Sequence, residues 1–144
     1  MSFYWLRNLE LRNYINAYKA LILLSKREKR EMKKVCMYVG TSVGEHYKKL
    51  LSIPKNLAVD SSKAENVISS ILLENGIQGF TLENGKGFWE GEPEKSLIVT
   101  VYTDIQVSTW YDIAKKIGNE LYQDCVMLDL DGAVCFVDST EVAR

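Results

Sequence analysis

The chain has 144 residues, 47% hydrophobic and 26% charged, with a formal net charge of −1. That is one domain's worth of sequence with apolar residues for a single core, which excludes a disordered or fibrous chain. The charge is uneven: residues 1–31 hold seven Lys/Arg against three Glu, net +4, leaving −5 on residues 32–144. An acidic body excludes broad nucleic-acid binding, where basic groups must neutralise phosphates.

Residues 1–31 read as an N-terminal helical extension. Leu6, Leu9, Tyr14, Tyr18, Leu21, Ile22 and Leu24 form a ragged helical stripe, and "SKREKRE" at 25–31 is a solvated charge run. The segment is either a surface helix, an addition upstream of a compact domain that begins at Met32, or an ordinary N-terminal helix packed on the core. "INAYKALILL" at 15–24 falls short of the ~18 apolar residues of a membrane span. It also lacks a small-residue cleavage site, so it is a poor signal peptide. No membrane partner is expected, and the expected location is the cytoplasm.

Residues 32–144 form the second expected unit. "VCMYV" at 35–39 is a buried-type strand, and a helical turn at 45–51 must end before Pro54. Asp60-Ser61-Ser62 is an N-cap cluster, with Glu65 as the capping-box partner of Ser62. That helix buries Ala64, Val67, Ile68, Ile71 and Leu72 and stops at Asn75-Gly76. Residues 78–82 are a second strand, residues 84–96 a glutamate-rich loop, and residues 97–102 a β-branched third strand. Ser108 or Thr109 caps a second helix with the stripe Trp110, Ile113, Ala114, Ile117 and Leu121. Residues 126–130 are a fourth strand, and Asp131-Gly132 turns into a fifth at 133–137. The order is β-α-β-β-α-β plus a final strand, an α+β ferredoxin-like sandwich with two helices on one sheet face. The other face needs a cover, and oligomerisation is the simplest one.

Cys36, Cys125 and Cys135 show no metal-ligand spacing and sit in apolar runs, as small buried hydrophobes of a reducing compartment do. His46, the only histidine, reads as a solvated surface residue. "GTSVG" at 40–44 lacks the lysine of a phosphate loop. Asp129 and Asp131 flank a turn and read as turn chemistry. Two constellations remain. In the loop "NGKGFWEGEPEKS" at 84–96, Phe88 and Trp89 offer aromatic faces while Glu90, Glu92 and Glu94 offer negative charge. That suits a cation attached to a flat ring, or else an acidic hairpin whose Trp packs on a neighbouring subunit. On the second helix, Glu120 falls about 20° from Ile113, at the edge of the buried stripe, where a carboxylate is costly unless paired or bound.

"GIQGFTLENGKGFWEGEPEKSLIVTVY" at 76–102 resembles the second strand, long loop and third strand of the PII-like superfamily. "NELYQDCVML" at 119–128 and "EKS" at 94–96 resemble matching stretches of the phage-encoded S-adenosylmethionine-degrading enzymes, which share that fold. The resemblance spans roughly residues 32–137. It implies a homotrimer with sites between subunits and a lyase with no cofactor and no metal. The substrate's own carboxylate attacks its γ-carbon and expels methylthioadenosine, leaving homoserine lactone, and loss of the methyl donor serves phage anti-restriction. By the same resemblance Glu94 stands first as catalytic residue and Glu120 second. Phe88 and Trp89 would stack on adenine, and Gly40, Thr41 and Ser42 would orient the substrate carboxylate through backbone N–H groups. The family also uses a tyrosine in this loop. Residues 79–97 contain none, so Tyr38, Tyr47 or Tyr102 would have to supply the hydroxyl. The alternative implication is a non-enzymatic PII-like trimer that binds an adenine nucleotide and signals through residues 84–96.

Overall fold

The computed structural model describes residues 2–27, 32–52 and 58–140. The chain divides into two compact units, Met1–Met32 and Lys33–Arg144. The first contains one helix, α1 (Ser2–Arg27). Every side chain from residue 10 to residue 22 is exposed. The side chains of Leu6, Leu9 and Leu24, and residues 28–31 of the charge run, lie outside the described residues, as does the segment 53–57 with Pro54.

The second unit runs β1 (Lys33–Gly40), α2 (Glu45–Leu51), α3 (Ser61–Glu74), β2 (Thr81–Trp89), β3 (Glu92–Thr103), α4 (Val107–Glu120), β4 (Cys125–Leu130) and β5 (Ala133–Asp138). The strands form one sheet in the order β2-β3-β1-β4-β5, and each neighbouring pair is antiparallel. The expected α+β plan is therefore present: β1 lies between β3 and β4, and β5 extends the sheet beyond β4.

The two-residue period of the strands divides the sheet into two faces. Val35, Met37 and Val39 of β1, Leu97, Val99 and Val101 of β3, and Val126, Leu128 and Val137 point into the core. There they meet Ala64, Ile68, Ile71 and Leu72 of α3 and Trp110, Ile113, Ala114, Ile117 and Leu121 of α4, the helical stripes expected from spacing, except that Val67 is only half-buried. The intervening strand residues, among them Tyr38, Ile98, Met127 and Phe136, form the open face, on the side of the sheet away from α3 and α4. These four lie in one row, because Tyr38 is opposite both Ile98 and Met127 and Met127 is opposite Phe136.

The start of α3 falls in the expected Asp60-Ser61-Ser62 cluster, without the Ser62–Glu65 capping box, while the start of α4 differs from expectation. The N-cap of α3 is Asp60, whose side chain accepts from the Ser62 N–H at 2.8 Å. Asp60 thus takes the Ser62 N–H that Glu65 would have taken in a Ser62–Glu65 capping box. The N-cap of α4 is Gln106, without a side-chain bond. There the carbonyl of Gln106 takes the Thr109 N–H at 3.1 Å, so neither Ser108 nor Thr109 caps. The Asp131-Gly132 turn is as expected: both residues have positive φ, 54° and 97°, and the Asp129 carboxylate accepts from the Gly132 N–H at 2.8 Å.

Two adjacent leucines test the layer assignment. Leu72 is fully buried and Leu73 is 55% exposed. Leu72→Ala should lower the unfolding free energy by about 2–5 kcal/mol, and Leu73→Ala by about 0.5 kcal/mol or less. Urea unfolding of the two variants measures the difference.

Candidate functional site

The stretch at 84–96, expected as a loop, is a β-hairpin arm. β2 continues to Trp89 and β3 begins at Glu92, with Gly87 opposite Glu94, Phe88 opposite Pro93 and Trp89 opposite Glu92. Glu90 and Gly91 alone form the turn, with φ of 50° and 81°, the two positive angles a two-residue hairpin needs. Gly91 adopts such an angle freely; Glu90 does so against its usual preference. The turn carries no sequence signature, because its first residue is Glu rather than Asn or Asp.

Strand alternation sorts the arm's side chains. Trp89, Glu92, Gly87, Glu94 and Ser96 share the side of the open face; Lys86, Phe88, Pro93 and Lys95 point away. Trp89 meets Phe136 of β5, ring centroids 6.0 Å apart. β2 and β5 are opposite edges of the sheet, so the arm bends across the open face. This chain therefore covers part of the face for which oligomerisation was expected. Phe88 is 67% exposed and carries the Lys86 ammonium 5.8 Å from its ring centroid. Phe88 and Trp89, expected to act together, lie on opposite sides of the arm, and only Trp89 shares a side with Glu94.

Of the three loop glutamates, Glu90 and Glu92 are exposed and Glu94 is half-buried. The Glu94 carboxylate rests on the backbone at the end of β1: a methyl group at Gly40 would lie 2.5–2.7 Å from its atoms and would push the carboxylate aside. The Ser42 N–H donates to it over a long 3.4 Å. The connecting loop is held on every side. The Thr41 N–H and hydroxyl both donate to the Lys95 carbonyl, at 3.0 and 2.9 Å. The Gly44 N–H donates to the Tyr122 carbonyl at 2.8 Å. The buried Gln123 side chain donates to the Ser42 carbonyl at 2.7 Å. The Thr41 and Gly44 amides are thus engaged within the fold, whereas the Ser42 N–H makes its long contact with Glu94.

A second carboxylate, unforeseen from sequence, completes the loop. Asp124 accepts from the His46 N–H at 3.2 Å and lies where a side chain on Gly44 would stand. It holds the first turn of α2, which has no side-chain cap of its own. Negative charge converges on the start of β4. The Cys125 thiol is pushed above its ordinary range first by burial and then by Asp124, Asp138 and Glu94 in turn. Cys36 is buried, while Cys125 and Cys135 are half-buried; all three are free. Among the described residues no group of three or more His, Cys, Asp or Glu side chains could hold a metal ion.

Glu120 is exposed at the end of α4, in the field of Lys116, and the structure does not bring it to Glu94. Of the tyrosines, Tyr38 is half-buried on the open face. The buried Tyr47 hydroxyl donates to the Ser139 carbonyl at 3.4 Å, and Tyr102 is 64% exposed. His46 is exposed, as expected.

No protein-family model matches the chain, and no curated protein matches it. Two solved structures do. One is a phage SAM lyase in complex with S-methyl-5'-thioadenosine, 14% identical, covering 74% of this chain and 89% of that one, with a TM-score of 0.48. The other is a phage SAM lyase in the apo state, also 14% identical, covering 77% and 92%, with a TM-score of 0.47.

The charge cluster has a test that needs no ligand. Asp124→Asn removes a negative charge beside Cys125, which favours the thiolate, lowers the thiol pKa and raises the thiolate fraction at any fixed pH below it. Alkylation of Cys125 at pH 8.5, followed by peptide mass mapping, should be faster in the variant, with Cys135 unchanged as internal control.

Proposed function

We propose that this chain is an S-adenosylmethionine lyase that forms methylthioadenosine and L-homoserine lactone, cofactor-free, in the host cytoplasm, and so serves phage anti-restriction. One observation carries the reading: the half-buried Glu94 carboxylate lies on Gly40, on the side of the arm that also presents Trp89. Asp124 and Asp138 add to the same negative region. That combination attracts a cation that carries a flat ring, as the sulfonium of the substrate does. The resemblance of "EKS" and "NELYQDCVML" to the phage enzymes points to the same substrate. The alternative, a sensor of adenine nucleotides, would need positive charge for phosphates. Lys86 and Lys95 lie on the other side of the arm.

The reaction needs no external base. A carboxylate oxygen of the substrate forms a bond to its own γ-carbon while the carbon–sulfur bond breaks. The electron pair goes to sulfur, which leaves neutral as methylthioadenosine, and the other product closes as the lactone. No proton moves. The protein's task is to fold the methionine arm for in-line attack and to exclude water from the nucleophile. Glu94 binds the sulfonium, but its attraction weakens as positive charge leaves sulfur, so its contribution is mainly positional. As Glu94 turns to the sulfonium, its long contact releases the Ser42 N–H for the substrate carboxylate. Trp89 stacks on adenine, and Tyr38 supplies the hydroxyl. Phe88, on the outer side of the arm, meets a neighbouring copy in a homotrimer. Glu120, exposed at the end of α4, makes a subunit contact.

The decisive experiment separates products after incubation of the pure protein with S-adenosylmethionine. Methylthioadenosine with homoserine lactone is expected. Intact substrate alongside retained adenine nucleotide would instead support the sensor. Glu94→Gln should lower kcat/KM about a hundredfold or more, whereas a loss within about threefold, under ~1 kcal/mol, removes Glu94 from the mechanism. Sedimentation should give three times the chain mass of 16.4 kDa; a stable monomer would remove the inter-subunit part of the site.

A further inference from the structure

We propose that α1 is a membrane-surface element that lies in the plane of an anionic lipid bilayer. At about 100° per residue, Leu11, Tyr14, Ile15, Tyr18, Leu21 and Ile22 fall within an arc about 120° wide, the width of an amphipathic face. No charged residue of the segment 10–22 lies inside that arc. The face is exposed: Leu11 is 62%, Tyr14 77%, Ile15 44%, Tyr18 61% and Leu21 64% accessible. Arg12 and Lys19 lie together on the flank beyond Ile15, about 80–100° from Leu11. Glu10, the one acidic residue of α1, stands on the other flank.

Charge identifies the occupant of this face. The segment 2–27 holds five basic residues, Arg7, Arg12, Lys19, Lys26 and Arg27, against Glu10, net +4, while residues 32–144 carry −5. An anionic surface therefore attracts α1 and repels the rest of the chain. A second copy of α1 is the wrong partner. Two +4 helices repel, and a helical seam would set Arg12 and Lys19 beside it with a single glutamate per helix to pair with. Nucleic acid would satisfy the cations and leave the apolar arc in water. A lipid interface satisfies both. The apolar arc, with Tyr18 at its centre, enters the acyl boundary, Tyr14 near its edge places its hydroxyl among the headgroups, and Arg12 and Lys19 extend to the lipid phosphates. No helix among the described residues is long and apolar enough to cross a membrane, and the opposite side of the segment 10–22 carries Asn13 and Asn16. That segment of the helix therefore lies flat, about 20 Å long at 1.5 Å per residue. The sequence expectation of no membrane partner followed from the lack of a spanning segment, which a helix in the interfacial plane does not need. The inference is independent of the catalytic reading.

Flotation of the full chain with vesicles tests it. Vesicles of phosphatidylcholine with about a third phosphatidylglycerol should carry the protein at least about tenfold better than phosphatidylcholine alone, and ~0.5 M salt should release it. Arg12→Glu with Lys19→Glu, and separately Leu11→Asp with Tyr18→Asp, should each reduce flotation about tenfold, with thermal unfolding of the protein unchanged. Absence of flotation, equal flotation on neutral vesicles, or flotation indifferent to both double variants overturns the proposal. So does a loss of sedimenting mass in Leu11→Asp/Tyr18→Asp without lipid, which would assign the apolar face to a second copy.

Discussion

The alternation of side chains along β3 is the constraint on which the rest of the second unit depends. One strand, Glu92–Thr103, sends Leu97, Val99 and Val101 into the core and Glu94, Ser96 and Ile98 to the open face. Its pairing with β1 fixes Gly40 opposite Ser96, and its pairing with β2 carries the arm beyond the sheet. A slip of one residue would turn Glu94 outward and Lys95 inward while it removed three residues from the core. The apolar contacts that stabilise the sheet thus also set which carboxylate reaches the end of β1.

What was legible in the sequence follows from how local each signal is. The stripes of α3 and α4 were readable because helical spacing repeats over several turns, and Asp131-Gly132 because its residue types belong to one turn. The arm was not readable: Glu90 hides the turn, and with Asn84, Gly85, Gly87 and Gly91 the stretch has the composition of a loop. Glu94 could be singled out only by resemblance, and its burial depends on Gly40, 54 residues earlier in the chain. Asp124 could not be found at all, because its partner is the His46 N–H, 78 residues away. Glu120 was placed by helical angle at the border of the stripe, but border positions at the last turn of a helix face water when no further element packs there.

The charge cluster and the chemistry proposed for it fit each other in a specific way. A hydrolase would need a base, a metal or a nucleophile; intramolecular displacement of a sulfonium needs a shaped, partly dry surface with negative charge. The half-buried Glu94, with Asp124 and Asp138 close by, supplies the charge. Tyr38, Ile98 and Met127, all half-buried in one row of the sheet, supply a largely apolar floor. Burial first, and then the same field, push the Cys125 thiol above its ordinary range: a thiolate there would add a further anion to a place already crowded with them.

The end of β1 at Gly40 has a mechanical consequence. Beyond Lys95, whose carbonyl takes the Thr41 N–H and hydroxyl, β3 has β2 as its single partner strand, so the arm bends most readily there. Glu94 lies one residue past that fulcrum and the turn at Glu90-Gly91 four or five. At about 3.3 Å per residue, a given rotation moves the tip about four to five times farther than the Glu94 backbone. The Trp89–Phe136 contact can therefore part with little displacement of the Glu94 backbone.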